Sequence, residues 1–277
     1  MKELSALVVE GGGMRGVFSA GVLDLFHENK FDPFDSYYGV SAGACNLASH
    51  LAGQYKRNYR CYTKYMLDPN FFSLSKFLRG GHFMDLDWFW DYLAVEEPLG
   101  SKNASKKNFY VVATDARTGK PVYARAEEKI LEDLLKGSSA LPLLYRNFVK
   151  VNGLELVDGG VADSIPVQAA ADKGATRIMV LRSQLDGYVK KSFTESKLIP
   201  LLFRKYPELK KAMSQREFRY NDSVNFIKHP PKNVEIIEIC PRVLRTGRTT
   251  RDQKILEADY AEGKRAGLEA IERWNKG

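Results

Sequence analysis

Leu4-Ser5-Ala6-Leu7-Val8-Val9-Glu10-Gly11-Gly12-Gly13-Met14-Arg15-Gly16 is the stretch from which the fold is read. Its first half is a short, nearly continuous apolar run, the composition of a central strand covered on both faces. A glycine turn follows, and across 17–26 the residues Val17, Ala20, Gly21 and Leu25 recur at helical spacing. The unit then repeats, with 34–38 as a strand running into Gly39-Val40-Ser41-Ala42-Gly43 and 44–51 as a helix. Further strands are expected at 109–114, 122–124, 154–157, 177–181 and 234–239, and helices at 127–135, 166–171 and 252–274. Alternation of this kind predicts an α/β fold with a mostly parallel sheet and helices on both faces. The chain reads as a single domain over 1–277, with a helical, aromatic insertion at about 55–100 and a helical, basic segment at about 188–220.

Composition sets the outer limits. The 277 residues are 44% hydrophobic and 27% charged, ordinary globular usage for a chain long enough to be a complete enzyme. Cys45, Cys61 and Cys240 are far apart without a CxxC pair, which argues against a disulfide framework and for a reducing, cytoplasmic setting. A formal net charge of +8 would attract nucleic acid or anionic lipid. The basic residues are scattered in small groups with no nucleic-acid motif, so nucleic acid is not an expected partner, and nothing points to a protein partner. The run at 4–9 is too short for a signal peptide, and no apolar stretch approaches the ~18 residues of a membrane span. Membrane contact is therefore expected to be peripheral, at an anionic inner face.

The glycine run satisfies GxGxxG between a strand and a helix, with Asp32 and Asp35 about twenty residues on, so a dinucleotide site has to be weighed. It lacks the Gly-Lys-Ser/Thr ending of a triphosphate loop. Consecutive glycines also let backbone N–H groups converge beside a helix N-terminus, which suits an oxyanion as well as a phosphate. Gly39-Val40-Ser41-Ala42-Gly43 discriminates. In a nucleophile elbow the serine stands on a sharp strand-to-helix turn, and small neighbours relieve the crowding. Two adjacent βα turns thus offer amide donors and a nucleophile at one sheet edge, whereas a dinucleotide gives Ser41 no role.

A serine hydroxyl needs a base. Of the four histidines, only His229 follows Ser41 and Asp158 in the order serine, acid, histidine. Asp158-Gly159-Gly160 ends another expected strand, so a parallel arrangement would deliver Asp158 to the edge that carries Ser41; a mere cap on the next turn is the competing reading.

Gly11-Gly12-Gly13-Met14-Arg15-Gly16, Gly39-Val40-Ser41-Ala42-Gly43 and Asp158-Gly159-Gly160 occur in the order of the patatin-like phospholipase family. Gly137-Ser138-Ser139-Ala140-Leu141-Pro142 resembles the family segment ahead of its aspartate, and Asp259-Tyr260-Ala261-Glu262-Gly263 its C-terminal helix. The chain looks most like the small bacterial members. The resemblance implies a three-layer α/β/α sandwich that cleaves carboxylic esters of acyl lipids, of phospholipase A or lysophospholipase type, by a serine–aspartate dyad without histidine. Ser41 is then the nucleophile, Asp158 the base, and the amides of Gly12, Gly13 and Met14 the oxyanion hole. Arg15 would steady the loop or meet a headgroup. No metal or cofactor is implied, and no ligand cluster resembles a zinc or calcium site. One departure is Ser164, where the family often has asparagine two positions before a proline.

Aromatic residues of 71–90 and the stretch 198–203 are candidates to wall an acyl groove, or plain core. Lys190, Lys191, Arg204, Lys205, Lys210 and Lys211 are candidates to face anionic lipid, or a solvated face. Two rival readings stay open: a nucleotide-binding oxidoreductase or binding module using only the glycine loop, and a catalytically silent scaffold.

Overall fold

Alternate residues of the first strand face opposite layers, and this sorts the whole molecule. In a computed structural model that describes residues 4–191 and 205–276, β1 (Ser5–Val9) turns Leu7 and Val9 to one face and Ala6 and Val8 to the other. The chain continues as α1 (Val17–Glu28), β2 (Ser36–Val40) and α2 (Ala42–Leu51). An aromatic excursion of four short helices follows: α3 (Arg57–Thr63), α4 (Leu74–Leu78), α5 (Leu86–Glu96) and α6 (Ser101–Ala104). Then come β3 (Phe109–Asp115), β4 (Pro121–Arg125), α7 (Leu131–Ser139), the pair β5 (Val149–Val151) and β6 (Leu154–Asp158), α8 (Val167–Asp172) and β7 (Arg177–Leu181). The described chain closes with α9 (Pro207–Ser214), α10 (Arg216–Lys228), β8 (Glu235–Ile239) and α11 (Gln253–Lys276).

These strands make one sheet in the order β5-β6-β3-β2-β1-β7-β8, with β4 also on β3. Neighbours from β3 through β8 are parallel, and β4, β5 and β6 are antiparallel. On one face Val17, Phe18 and Phe26 of α1, Leu47 of α2 and Tyr260 and Ala270 of α11 bury Leu7, Met179 and Ile237. On the other, Val167 of α8 and Tyr220 and Ile227 of α10 bury Val8, Ile178 and Val180. Each such aliphatic side chain contributes about 1.5–3 kcal/mol on burial, so both layers are firmly held. The architecture is the expected α/β/α sandwich around a central parallel sheet.

Three expectations need correcting. The helix expected at 127–135 begins at Leu131, because the Ala126 amide still bonds the Phe109 carbonyl at 2.8 Å and keeps the chain on the sheet. The segment expected to be helical from 188 is irregular at 188–191; its described helices are α9 and α10, while 198–203 and Arg204 lie outside the described residues. The third concerns Asp158, which does not arrive on a parallel strand. Asn152 and Gly153, with φ of 49° and 80°, turn β5 into β6, and β6 runs antiparallel to β3.

How Asp158 still reaches the right edge follows from register. β4 covers one side of β3 from Tyr110 to Thr114, so β2 and β6 must share the other. β2 climbs that side until Val40 stands opposite Val112. β6 descends it from beyond the sheet edge until Asp158 stands opposite Ala113. The two strands therefore abut tip to tip on consecutive positions of β3.

Candidate active site

Ser41 is the first residue beyond β2, with φ 53° and ψ −127°, a conformation that costs a non-glycine residue about 1–3 kcal/mol. The elbow closes because Gly43 lies against β1: a Cβ there would come within 2.4 Å of the Val9 carbonyl oxygen. Ser138, at the end of α7, locks the turn. Its hydroxyl accepts the Ser41 N–H at 2.7 Å and donates to the Val112 carbonyl at 2.6 Å. Two residues on, the Ala140 carbonyl accepts the Asp158 N–H at 2.9 Å. One segment thus fixes both strand tips, a part that the sequence offered only through resemblance.

Asp158 and Ser41 are both buried and line the same small cavity. Burial pushes the Asp158 carboxyl up from its ordinary value, against the opposing pull of the Arg216 charge, the Ser41 hydroxyl and the Gly160 amide. The Gly160 N–H donates to Asp158 at 2.8 Å, so the capping role read as an alternative is present alongside contact with Ser41. Ser164 donates its hydroxyl to the Gly160 carbonyl at 2.8 Å and lines the same cavity.

The glycine loop crosses the mouth of this space. Gly13 has φ 58° and packs so closely that a Cβ would sit 2.8 Å from the Arg248 carbonyl oxygen. Among the described residues the Gly12 and Gly13 amides take no acceptor. The Met14 amide, expected as a third oxyanion donor, is instead bonded to the Arg248 carbonyl at 3.1 Å, which leaves the Gly12 and Gly13 N–H groups as the donors of the expected set without an acceptor among the described residues. Arg15 meets the Gln184 side-chain oxygen at 2.9 Å once that amide is turned to face it, and leaves its buried Nε unpartnered.

Two cavities meet at Ser41. The larger, about 80 Å³, is lined by Cys45, Met66, Phe71, Phe72, Trp90 and Leu144, so the aromatic excursion is both core and wall. The smaller, about 30 Å³, is lined by Asp158, the glycine loop and four basic side chains, Arg15, Lys190, Arg216 and Arg248. Gly13, Ser41, Leu141 and Arg248 border both. Of the other basic candidates, Lys191, Lys205, Lys210 and Lys211 are exposed and line neither. Arg216 had no distinguishing mark in the sequence: the basic residues of this cavity come from four separate segments.

None of the four histidines lines either cavity, and His229 is exposed at the end of α10. Asp32 and Asp35, the acids that a dinucleotide reading needs near the glycine loop, precede β2 and sit at the opposite sheet edge, where Asp35 accepts the Ser5 N–H at 2.9 Å. Beneath the loop, Glu10 is consumed by Arg182 at 3.1 Å, the Ser183 amide at 2.7 Å and Tyr220 at 3.0 Å. No helix among the described residues is long and apolar enough to cross a membrane.

A family model described as patatin-like phospholipase matches residues 7–171, and one described as a domain of unknown function (DUF6363) matches 206–277. The uncharacterized protein YjjU of Escherichia coli K12 is 35% identical over 250 residues, 85% of this chain and 68% of its own length. Among solved structures, VipD from Legionella pneumophila aligns over 98% of this chain and 67% of its own, at 13% identity and a TM-score of 0.47, too remote to argue from.

Proposed function

The chain belongs to the patatin-like phospholipase family, which is one of lipid acyl hydrolases, and on that premise we propose that it cleaves carboxylic esters through an acyl-enzyme formed on Ser41, with Asp158 as the only base. The observation that carries the reading is the meeting of β2 and β6 on β3, which puts both side chains in one cavity facing two free glycine amides.

Ser41 Oγ attacks the acyl carbonyl while Asp158 takes its proton. The carbonyl oxygen gains negative charge against the Gly12 and Gly13 amides, and each such donor is worth about 3–4 kcal/mol in serine hydrolases. Collapse breaks the ester bond, and the proton held by Asp158 passes to the leaving alcohol. Water then enters, gives a proton to the same carboxylate and attacks the acyl-enzyme; the second collapse returns that proton to Ser41 and frees the fatty acid. A buried carboxylate with a raised pKa is a better base than an exposed one, which supports a scheme without histidine. Scission adjoins the 80 Å³ apolar cavity, whose wall suits a fatty acyl chain. On this reading the substrate is an acyl lipid, contact with a membrane is peripheral and anionic, and the cytoplasmic setting inferred from cysteine usage is kept.

The test is release of free fatty acid from mixed phospholipid and monoacyl-lipid micelles by wild type and a folded Ser41→Ala variant. Turnover that vanishes in the variant supports the proposal. Absence of release from every acyl ester tried would leave the silent scaffold as the better reading, and covalent labelling of Ser41 by a phosphonate would count against a nucleotide site.

A further inference from the structure

The free amides of Gly12 and Gly13 are held in place from a distant part of the chain. Between β8 and α11, residues 240–252 form neither helix nor strand, and this strap lies against the glycine loop. The Arg248 carbonyl accepts the Met14 N–H at 3.1 Å and closes on Gly13, where a Cβ would come within 2.8 Å of the same oxygen. The Met14 amide, lost as a donor to substrate, is thus the handle by which the strap grips the loop. At the other end of the loop the Ser183 hydroxyl donates to the Gly11 carbonyl at 2.8 Å. Gly12 and Gly13 lie between these two ties.

What holds the strap is Asp259. It stands on α11, 0% exposed, with both carboxylate oxygens in use. One accepts the N–H groups of Arg245 and Thr246 at 2.9 and 2.7 Å, and the other accepts the Arg245 guanidinium at 3.1 Å. Hydrogen bonds to an ionised group are about twice as strong as neutral ones, and a buried N–H stripped of its acceptor is costly. The grip falls two and three residues before Arg248, so the place of that carbonyl follows the place of the carboxylate. α11 is in turn firmly seated: one turn on from Asp259, Gly263 meets Gly21 of α1 backbone to backbone, with no room for a Cβ on either. Since α1 follows directly on the glycine loop, loop, α1, α11, Asp259 and strap close a ring that returns to Met14.

Donors to an oxyanion are effective when they are aimed before the charge develops. We propose that Asp259 is a positioning residue for the oxyanion hole: through the strap it fixes the Met14 amide, and so keeps the Gly12 and Gly13 N–H groups aimed into the cavity that holds Ser41 and Asp158. The effect on rate rests on the acyl-hydrolase reading, though the clamp itself does not. Asp259 and the strap lie in the 206–277 match, whereas Ser41, Asp158 and the glycine loop lie in the phospholipase match. The C-terminal segment thereby acquires a role: it braces from outside a catalytic loop supplied by residues before it.

The experiment measures kcat and KM on a soluble butyrate ester, and deuterium uptake of the peptide spanning 11–17, for wild type, Asp259→Ala, Asp259→Asn and Asp115→Ala, all well below their melting temperatures. Asp115→Ala is the control: it too removes a buried carboxylate that holds a loop, by the Arg117 N–H at 3.0 Å and the Thr118 hydroxyl at 2.7 Å, and it touches neither strap nor glycine loop. Asp259→Ala is expected to lower kcat at least ~10-fold with KM within ~2-fold, and to speed exchange in the loop peptide. Asp259→Asn, whose side-chain oxygen can still accept both strap amides, should lie between it and wild type in both readouts. If the alanine variant does not fold, that partial and parallel fall in kcat and protection is the deciding result. Protection unchanged in a folded Asp259 variant overturns the clamp. Faster exchange with kcat unchanged overturns the positioning role, and so does an equal loss of kcat in Asp115→Ala, which would assign the effect to general loosening. Should wild type hydrolyse no ester, the hydrolase reading fails and the effect on rate with it, while the exchange arm still decides whether Asp259 holds the loop.

Discussion

The two cavities that meet at Ser41 share a wall and little else. One is mainly apolar and takes most of its lining from the aromatic excursion; the other is polar, and its four basic side chains come from separate segments between Arg15 and Arg248. The difference teaches that the two sides of Ser41 offer a ligand opposite environments, one apolar and one charged. On the proposed chemistry dispersion and desolvation favour an acyl chain in the apolar cavity, whereas a charged group placed there would lose its hydration without return.

The most drastic way to break this contrast is to disable the acid beside Ser41, the point the cavities share. Asp158→Asn is expected to lower kcat by about a thousandfold or more on neutral and phosphorylated esters alike. Because burial raises the folded pKa of Asp158, its carboxylate weakens the native state at neutral pH; that stability is intact below the unfolded pKa and lost as pH rises through the folded one. The inactive variant should therefore gain more in Tm over wild type at pH 8 than at pH 4, and equal gains would refute the raised pKa.

Ser138→Ala acts on the same point through positioning. It strips partners from the Ser41 amide and the Val112 carbonyl, and should cost about 1–3 kcal/mol of stability with a kcat loss on both substrate types. Unchanged denaturant midpoints would show that the turn is held elsewhere.

Met66→Trp sharpens the contrast from the apolar side alone. Met66 lines the larger cavity and is only partly buried, so a bulkier ring should narrow that space without unfolding the core. Hydrolysis of long-chain esters is expected to fall about tenfold relative to butyrate esters, given roughly 0.8 kcal/mol per buried methylene. No change in the chain-length profile would move the acyl end out of this cavity.

The smallest effect lies on the polar side. Lys190 faces Arg15, Arg216, Arg248, Glu10 and the Tyr220 ring, with its folded pKa near 6, so the free protein at pH 7.5 holds it mostly neutral while the unfolded chain keeps it charged. Lys190→Met is therefore expected to raise Tm at pH 7.5, where the unfolded chain alone binds the proton, and to raise it less at pH 10.5, read by calorimetry. Equal gains at both pH values would mean that Lys190 keeps its ordinary pKa in the cavity.

Much of the catalytic side was legible because its parts are local. The apolar run at Ala6–Val9, the glycines around Ser41 and the Asn152-Gly153 turn each announce a backbone conformation within a few residues. The direction of β6 was not, since a hairpin's strand carries the same residues whichever neighbour it joins, and only the occupation of β3 by β4 and β2 decides where it docks. Met14 was misjudged for a like reason: its amide is taken by a carbonyl more than 200 positions away. The polar cavity was invisible as a unit: Lys190 stood among six candidates to face anionic lipid or solvent, Arg216 and Arg248 carried no mark of a site, and only the fold gathers them.

On the proposed chemistry, the tip-to-tip meeting of β2 and β6 also sets when during synthesis the chain first becomes able to act. A nascent chain that has extruded residue 41 carries the proposed nucleophile and oxyanion loop but not the proposed base, which arrives only after residue 158 has emerged and β6 has found its place on β3. On the proposed chemistry, a partly translated or misregistered chain is harmless to membranes, and lipid cleavage is licensed by completion of the sheet itself.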